Sequence, residues 1–144
     1  MNIVHLHTHS HYSLLDGLAK IPELVNKAVR MGSPALALTD HGSMYGAIEF
    51  YKACKDAGIK PIIGCELYVA PRGRTDREST VDRKPYHLTV LAQNMQGYKN
   101  LIKLVTIANL EGFYYKPRVD KELLKKHADG LIILSGCLAS EFGR

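Results

Sequence analysis

Short apolar runs alternate with helically spaced apolar faces along this chain, and that alternation admits only a small set of folds. Residues 3–7, 35–39, 61–69, 87–92 and 131–135 each read as a strand. Between them, Ile21, Leu24, Val25, Ala28 and Val29 recur at helical spacing, with Pro22 suited to a first turn and Gly32 to an end. Ala47, Phe50, Tyr51, Cys54 and Ala57 form a second helical face closed by Gly58, and Tyr98, Leu101, Ile102, Val105 and Ala108 form a third. Asp120 is placed to cap a short helix ending before Gly130. Strand and helix in alternation is the signature of a parallel sheet with right-handed crossovers, so the expected class is α/β. Five strands leave open whether the sheet is flat or closed. The segment 71–85, PRGRTDRESTVDRKP, is too polar to bury a core and reads as an exposed loop.

Composition narrows the class further. With 144 residues, 46% hydrophobic and 23% charged, the chain suits one soluble domain rather than two. No run reaches the roughly 18 apolar residues of a membrane span, so no membrane partner is expected. The start, MNIVHLHTHSHYS, lacks the basic stretch and apolar core of a signal peptide, so the cytoplasm is the expected compartment. Three cysteines, Cys54, Cys65 and Cys137, show no framework spacing and read as reduced thiols, one of them available as a ligand. A net charge of +5 permits contact with polyanions without requiring it.

The histidines and acids carry the functional signal. His7 and His9 are two apart at the end of the first run, so their side chains share a face. Asp16 follows in SLLDG. Asp40 and His41 end the second run, Glu66 lies late in the third, His87 begins the fourth, and Cys137 follows the fifth. Imidazole, carboxylate and thiolate together are the ligand set of zinc, manganese or iron. Most of these residues sit at C-terminal strand ends, where parallel α/β folds place their sites. His87 is the exception: either its strand begins earlier, near Lys84, or it runs the other way. Ala35, Ala37 and Thr39 share the parity of His41 and are small, which leaves room beneath a cation cluster.

Each residue also has a plainer reading. A single HxH is common, TDHG suits a helix cap and turn, Glu66 suits a surface strand, and Cys137 suits a small buried hydrophobe. His11 reads as a loop residue and His127 as a solvated helix-end histidine. His5 and Asp40 read as supports behind the ligands. Convergence of seven candidates at consistent topological positions favours metal binding. Hydrolysis of a phosphoester needs a hydroxide at neutral pH and compensation of phosphoryl charge, and ions about 3.5–4 Å apart supply both. A carboxylate such as Glu66 can bridge two ions.

HLHTHSHYSLLDG resembles the first motif of the PHP (polymerase and histidinol phosphatase) family, and TDHGSMYG the second. GCELYV, YHLTVLA, LSGCLASE and GFYYKPRVD are similar to later motifs of the branch found in bacterial replicative polymerase III alpha subunits. The resemblance runs along the whole chain. It implies a distorted (β/α)7 barrel, incomplete here, with up to three divalent ions held at His7, His9, Asp16, His41, Glu66, His87 and Cys137. It gives Glu66 the bridging, catalytic carboxylate role, and puts an Asp at position 16 where many phosphatase relatives have His. It also implies a further Asp-x-His pair beyond Arg144, so that residues 1–144 are the N-terminal portion of the domain, without the barrel's completion or a polymerase body.

Three functions compete. The first is a module of a replicative DNA-directed DNA polymerase with metal-dependent 3′–5′ exonuclease or phosphoesterase chemistry, whose partners are DNA and other replicase subunits, a proofreading subunit included. The second is a free-standing phosphatase of the histidinol-phosphatase kind; GFYYKPRVD and the basic loop speak against it. The third is a metal-stabilised structural or subunit-binding module. Arg72, Arg74, Arg77, Arg83 and Lys84 are available to phosphate, but Asp76, Glu78 and Asp82 interleave with them, so a solvated loop is favoured and no DNA-contact residue is assigned.

Overall fold

In the computed structural model, which describes residues 3–14 and 16–143, the chain is organised around one long strand, β2 (Lys60–Val69). Helix α1 (Ile21–Arg30) leads into β1 (Ala35–Leu38), and α2 (Ala47–Asp56) carries the chain over to β2. β1 pairs in parallel with the first half of β2, from Ala35 opposite Lys60 to Leu38 opposite Ile63. β3 (Tyr86–Ala92) lies antiparallel along the second half, with Glu66 opposite Thr89 and Tyr68 opposite His87. After α3 (Met95–Leu110) come a hairpin, β4 (Phe113–Tyr114) with β5 (Lys116–Val119), then α4 (Lys121–Lys126) and β6 (Leu131–Leu134). β5 joins the last residues of β2 in parallel, and β6 lies antiparallel to β3.

The α/β class holds, but the sheet is mixed rather than wholly parallel. Segment 71–85 contains no helix to carry the chain back across the sheet, so β3 returns beside β2 in the opposite direction. The β4–β5 hairpin has no counterpart in the sequence reading. The run 3–7 is not a strand. It does follow β1, since Ala37 N donates to His5 O (3.0 Å) and Thr39 N to Thr8 O (2.9 Å). Three residues on one side against two on the other interrupt the ladder as a bulge does.

Side-chain alternation sorts the sheet into two faces. Cys65, Leu67 and Val69 of β2 and Val90 of β3 pack with Leu101, Leu104 and Ala108 of α3 and Leu123 and Leu124 of α4. Leu36 and Leu38 of β1 join Ile21, Val25 and Ala28 of α1 and Phe50 and Cys54 of α2. Burying each large aliphatic or aromatic side chain contributes about 1.5–3 kcal/mol, so these helices are held to one side of the sheet. The period of two then leaves Gly64, Glu66 and Tyr68 facing the other side, together with His87 and Thr89. Asp120 caps α4 as expected, accepting from Leu123 N at 2.9 Å.

Segment 71–85 is ordered rather than simply solvated. Its centre is Asp82, fully buried, which accepts from Arg72 Nε (3.1 Å) and Glu78 N (2.8 Å). Arg118 of β5 is also fully buried, and its guanidinium donates to the carbonyls of Gly112, Asp82, Arg74 and Asp76 at 2.8–3.1 Å. Arg74 is taken by Glu111 (2.7 Å) and Asp120 (3.0 Å), and Arg83 lies over the Tyr115 ring. Two of the loop's cations are therefore already matched by carboxylates of this chain. All three cysteines are free thiols, Cys54 and Cys65 buried and Cys137 exposed. Burial pushes the Cys54 thiol up to about 11 and raises that of Cys65 further. No helix among the described residues is long and apolar enough to cross a membrane.

Candidate metal centre

Glu66 is 1% exposed and sits in the middle of the sheet, an environment a carboxylate tolerates only with partners. Four imidazoles supply them. His7 Nε2 touches Glu66 Oε2, and His9 Nε2 lies 3.4 Å from the same oxygen. His41 Nδ1 and His87 Nδ1 lie 2.8 and 2.6 Å from Oε1. Each carboxylate oxygen thus faces its own pair of histidines.

Local structure brings the four together. His41 continues the line of β1 and forms an isolated parallel bridge with Glu66, where Glu66 N donates to Asp40 O (3.1 Å) and Gly42 N to Glu66 O (2.8 Å). The chain must turn there, and Gly42 does so at φ 57°, where a Cβ would meet Pro117 Cγ at 2.8 Å. His87 comes from the start of β3. Because β3 is antiparallel, its start lies beside the end of β2, so the second of the two alternatives for His87 is the observed one. His7 and His9 come from the irregular segment beside β1, and the ring of His9 stacks on that of His41 with centroids 4.1 Å apart.

Asp16 reaches the cluster through a tight loop in which Gly17 N donates to Ser13 O at 2.7 Å. A Cβ on Gly17 would stand 1.8 Å from Ser10 O, so only glycine lets this loop close. Asp16 Oδ2 is 2.9 Å from His41 Nε2 but is largely exposed, on the rim. Cys137 Sγ is 3.7 Å from His87 Nδ1 and likewise exposed. Asp40 touches no ligand side chain directly. It is buried and accepts from Ser10 N (2.6 Å), Ser10 Oγ (2.8 Å) and Ser13 Oγ (2.7 Å). His5 stands apart from the cluster: it is exposed, its carbonyl accepts from Ala37 N, and its imidazole makes no hydrogen bond, ion pair or ring contact among the described residues. The bulge beside β1 removes the alternation that would have aligned His5 with His7. His11 lies in the loop against Tyr12, and His127 ends α4.

Electrostatics fit a site built for positive charge. Burial raises the Glu66 carboxyl, but contacts with His41 and His87 above all outweigh it and hold the group below the carboxylate range. The Glu66 contact raises His41 against the opposing effect of burial, and Asp16 adds to it. His41 in turn lowers Asp16.

Two observations test the fit to cations. His7, His9 and Glu66 present three donor atoms within 4.8 Å of one another, and so do His41, Glu66 and His87. His41 Nδ1 and Glu66 Oε1, although 2.8 Å apart, are misaligned for a hydrogen bond, and both are buried without a hydrogen-bonding partner among the described residues. Orphaned donor atoms aimed at a shared space are what a ligand set without its ion presents. The residues fit two cations sharing Glu66.

Beside the cluster lies a cleft of about 520 Å³ bordered by His41 and His87 and by Tyr45, Tyr68, Phe113 and Lys116. Lys116 Nζ lies 5.4 Å from the Tyr68 ring centroid and has no carboxylate partner among the described residues. Ser13, Tyr68 and Lys116 went unread in the sequence. Tyr68 had a usable signal, sharing the parity of Glu66 on β2. Ser13 and Lys116 had none beyond their polarity.

The PHP domain family model matches residues 5–144. The DNA polymerase III subunit alpha of Treponema pallidum is 60% identical over 142 residues, covering 98% of this chain and 12% of that protein. The chain spans 11–12% of the length of the first curated relatives it matches. Among solved structures, an amidohydrolase from Chromobacterium violaceum aligns with TM-score 0.55 and 26% identity over 76% of this chain and 34% of that one. A protein assigned by name as a metal-dependent phosphoesterase, from Bifidobacterium adolescentis, aligns with TM-score 0.52 and 18% identity over 73% of this chain and 32% of that one.

Proposed function

The chain belongs to the PHP domain family, and on that premise we propose that it is the N-terminal portion of the PHP domain of a replicative DNA polymerase alpha subunit, carrying a multinuclear metal site for phosphoester hydrolysis. One observation carries the chemical half: buried Glu66 with a pair of imidazoles on each oxygen. Identity of 60% to a polymerase III subunit alpha supports the other half. Other relatives at 47–52% identity carry the same polymerase name, which favours a polymerase over a free-standing phosphatase.

His7, His9 and Glu66 would hold one cation and His41, His87 and Glu66 a second, with Asp16 and Cys137 as rim ligands and room in the family's scheme for a third. A set of imidazole, carboxylate and thiolate suits zinc first, with manganese or iron as alternatives. Bound ions would lower the pKa of water to near neutral and offset charge on the phosphoryl oxygens. The chain's own residues do the rest. Glu66 keeps its charge because the imidazoles outweigh its burial, so it stays a ligand rather than an acid. Neutral imidazoles add no negative charge, leaving the site attractive to phosphate. Lys116, unmatched by a carboxylate, offers its ammonium to a substrate oxygen in the cleft, and Tyr45 and Phe113 offer aromatic faces to a base. DNA, other replicase subunits and a proofreading subunit are the partners this reading implies, in the cytoplasm, with nucleotidyl transfer performed elsewhere in the protein.

The test is nucleotide release from a mismatched 3′ end by the complete gene product. Release should stop on chelation, return with divalent metal, and be absent in Glu66→Gln while primer extension continues. Loss of folding on chelation with no release under any condition favours a metal-stabilised structural module instead.

A further inference from the structure

We propose that Ser13 is a positioning residue for the cation cluster: its hydroxyl, committed to Asp40, fixes the His9 imidazole with its proton on Nδ1 and its Nε2 lone pair turned inward. This deepens the metal-site reading above and rests on it for its purpose, though the proton assignment itself needs no ion.

The argument follows from which atoms can donate. Ser13 is 2% exposed, and water does not complete its hydrogen bonds. Its Oγ meets three groups: Asp40 Oδ1 at 2.7 Å, His41 N at 3.1 Å and His9 Nδ1 at 3.3 Å. A hydroxyl has one proton and two lone pairs. The backbone N–H of His41 can only donate, so it takes one lone pair. Two oxygens at 2.7 Å repel unless a proton lies between them, so the hydroxyl proton belongs on the short contact to Asp40 rather than on the longer one to His9. One lone pair then remains, and it faces His9 Nδ1. That nitrogen must be the N–H donor, and Nε2 is left with its lone pair.

Asp40 is what makes this arrangement firm. Ser10 N and Ser10 Oγ already donate to it at 2.6 and 2.8 Å, so it is held as an acceptor and keeps the Ser13 proton turned towards itself. At the other end of the ring, His9 Nε2 lies 3.2 Å from His7 Nε2 and 3.4 Å from Glu66 Oε2. A proton on Nε2 would occupy the space where those three donor atoms converge. The opposite tautomer therefore opposes cation binding, and Ser13 selects against it. The chain Asp40–Ser13–His9 ties the loop after His9 to the end of β1, and His41 N shares the same hydroxyl, so one small side chain sets one histidine from each pair.

Long-range proton–nitrogen NMR correlations on the metal-free, histidine-labelled 144-residue chain, above the pH range in which imidazole is protonated, read the tautomer directly. Wild-type His9 should be the Nδ1–H form. Ser13→Ala should release it towards Nε2–H and weaken zinc binding, read by chelator competition, by about 10–100-fold. Ser10→Ala removes another donor from Asp40 without touching His9, and should leave the His9 tautomer unchanged. A wild-type His9 protonated on Nε2 overturns the proposal whatever the variants do, and so does an unchanged His9 spectrum in folded Ser13→Ala. Wild-type protein that shows the Nδ1–H form yet binds no zinc overturns the metal reading, and the proton assignment stands.

Discussion

Glu66→Gln keeps the shape of the side chain and removes its charge, and it should weaken both cation positions together. Each position has three converging donors, and Glu66 is the one they share. Substitution leaves two imidazoles at each, and an uncharged amide whose NH2 end has no lone pair to offer a cation. Changes one step further from a metal already cost about 10–100-fold in affinity, so loss of a shared ligand should exceed about 100-fold, or about 2.8 kcal/mol, at each position. Thermal unfolding reports the same quantity. An ion at 100 times its dissociation constant stabilises the fold by about 2.7 kcal/mol, and after a 100-fold loss by about 0.4 kcal/mol at the same concentration. At about 3–4 °C per kcal/mol for a chain of this size, a metal-induced rise in Tm of roughly 8–10 °C per ion should shrink to one or two degrees. The assay is a zinc titration by calorimetry with parallel melts, run against His9→Ala, which should affect one position and spare the other. Glu66→Gln that loses a single class of site, or none, refutes the shared-carboxylate reasoning.

Other consequences are open to simple measurement. Arg118→Met leaves three carbonyls of segment 71–85 and that of Gly112 without their donor, so stability should fall by about 2–4 kcal/mol in urea unfolding and segment 71–85 should become a site of rapid tryptic cleavage; unchanged resistance would count against the buried guanidinium as its organiser. Arg72 pairs with Asp82 and holds its carboxyl below the usual range, so the stabilisation is present above the unfolded value near about 4 and is lost as pH falls through the folded one. Arg72→Ala should flatten that acid limb in metal-free protein, and an identical acid profile would contradict the assignment. Asp16→Asn should lower zinc affinity by no more than about fivefold, because an exposed partner to one imidazole is worth about 0–1 kcal/mol. A loss as large as that of Glu66→Gln would show that Asp16 is a full ligand.

Much of this was legible in the sequence because the relevant signals are local. The helical spacing of Ile21, Val25 and Ala28 corresponds to α1, and the alternation Cys65, Leu67, Val69 against Gly64, Glu66, Tyr68 corresponds to the two faces of β2. His9, His41, Glu66 and His87 converge, although the sheet that brings them together is not the one expected. What escaped depends on partners distant in sequence. Arg118 reads as one more basic residue until Asp82, Arg74 and Asp76, 36 to 44 positions earlier, wrap their carbonyls around it. The run 3–7 has strand-like composition, yet a strand exists only if its partner matches it residue for residue, and the offset between His5, Thr8 and β1 prevents that.

The antiparallel turn of β3 ties these observations together. In a wholly parallel sheet, a histidine at a strand start would lie at the opposite mouth from one at a strand end, and His87 could not meet His41. Reversing one strand solves this without a helix, and the connection it needs is segment 71–85. That connection packs on β5 with backbone carbonyls facing inward, and the buried Arg118 guanidinium satisfies three of them, and Gly112 O besides. Arg118 stands on β5 opposite Tyr68, two residues beyond Glu66 on β2. The loop's polar core and the cation cluster are therefore consequences of the same reversal, both built at the end of β2.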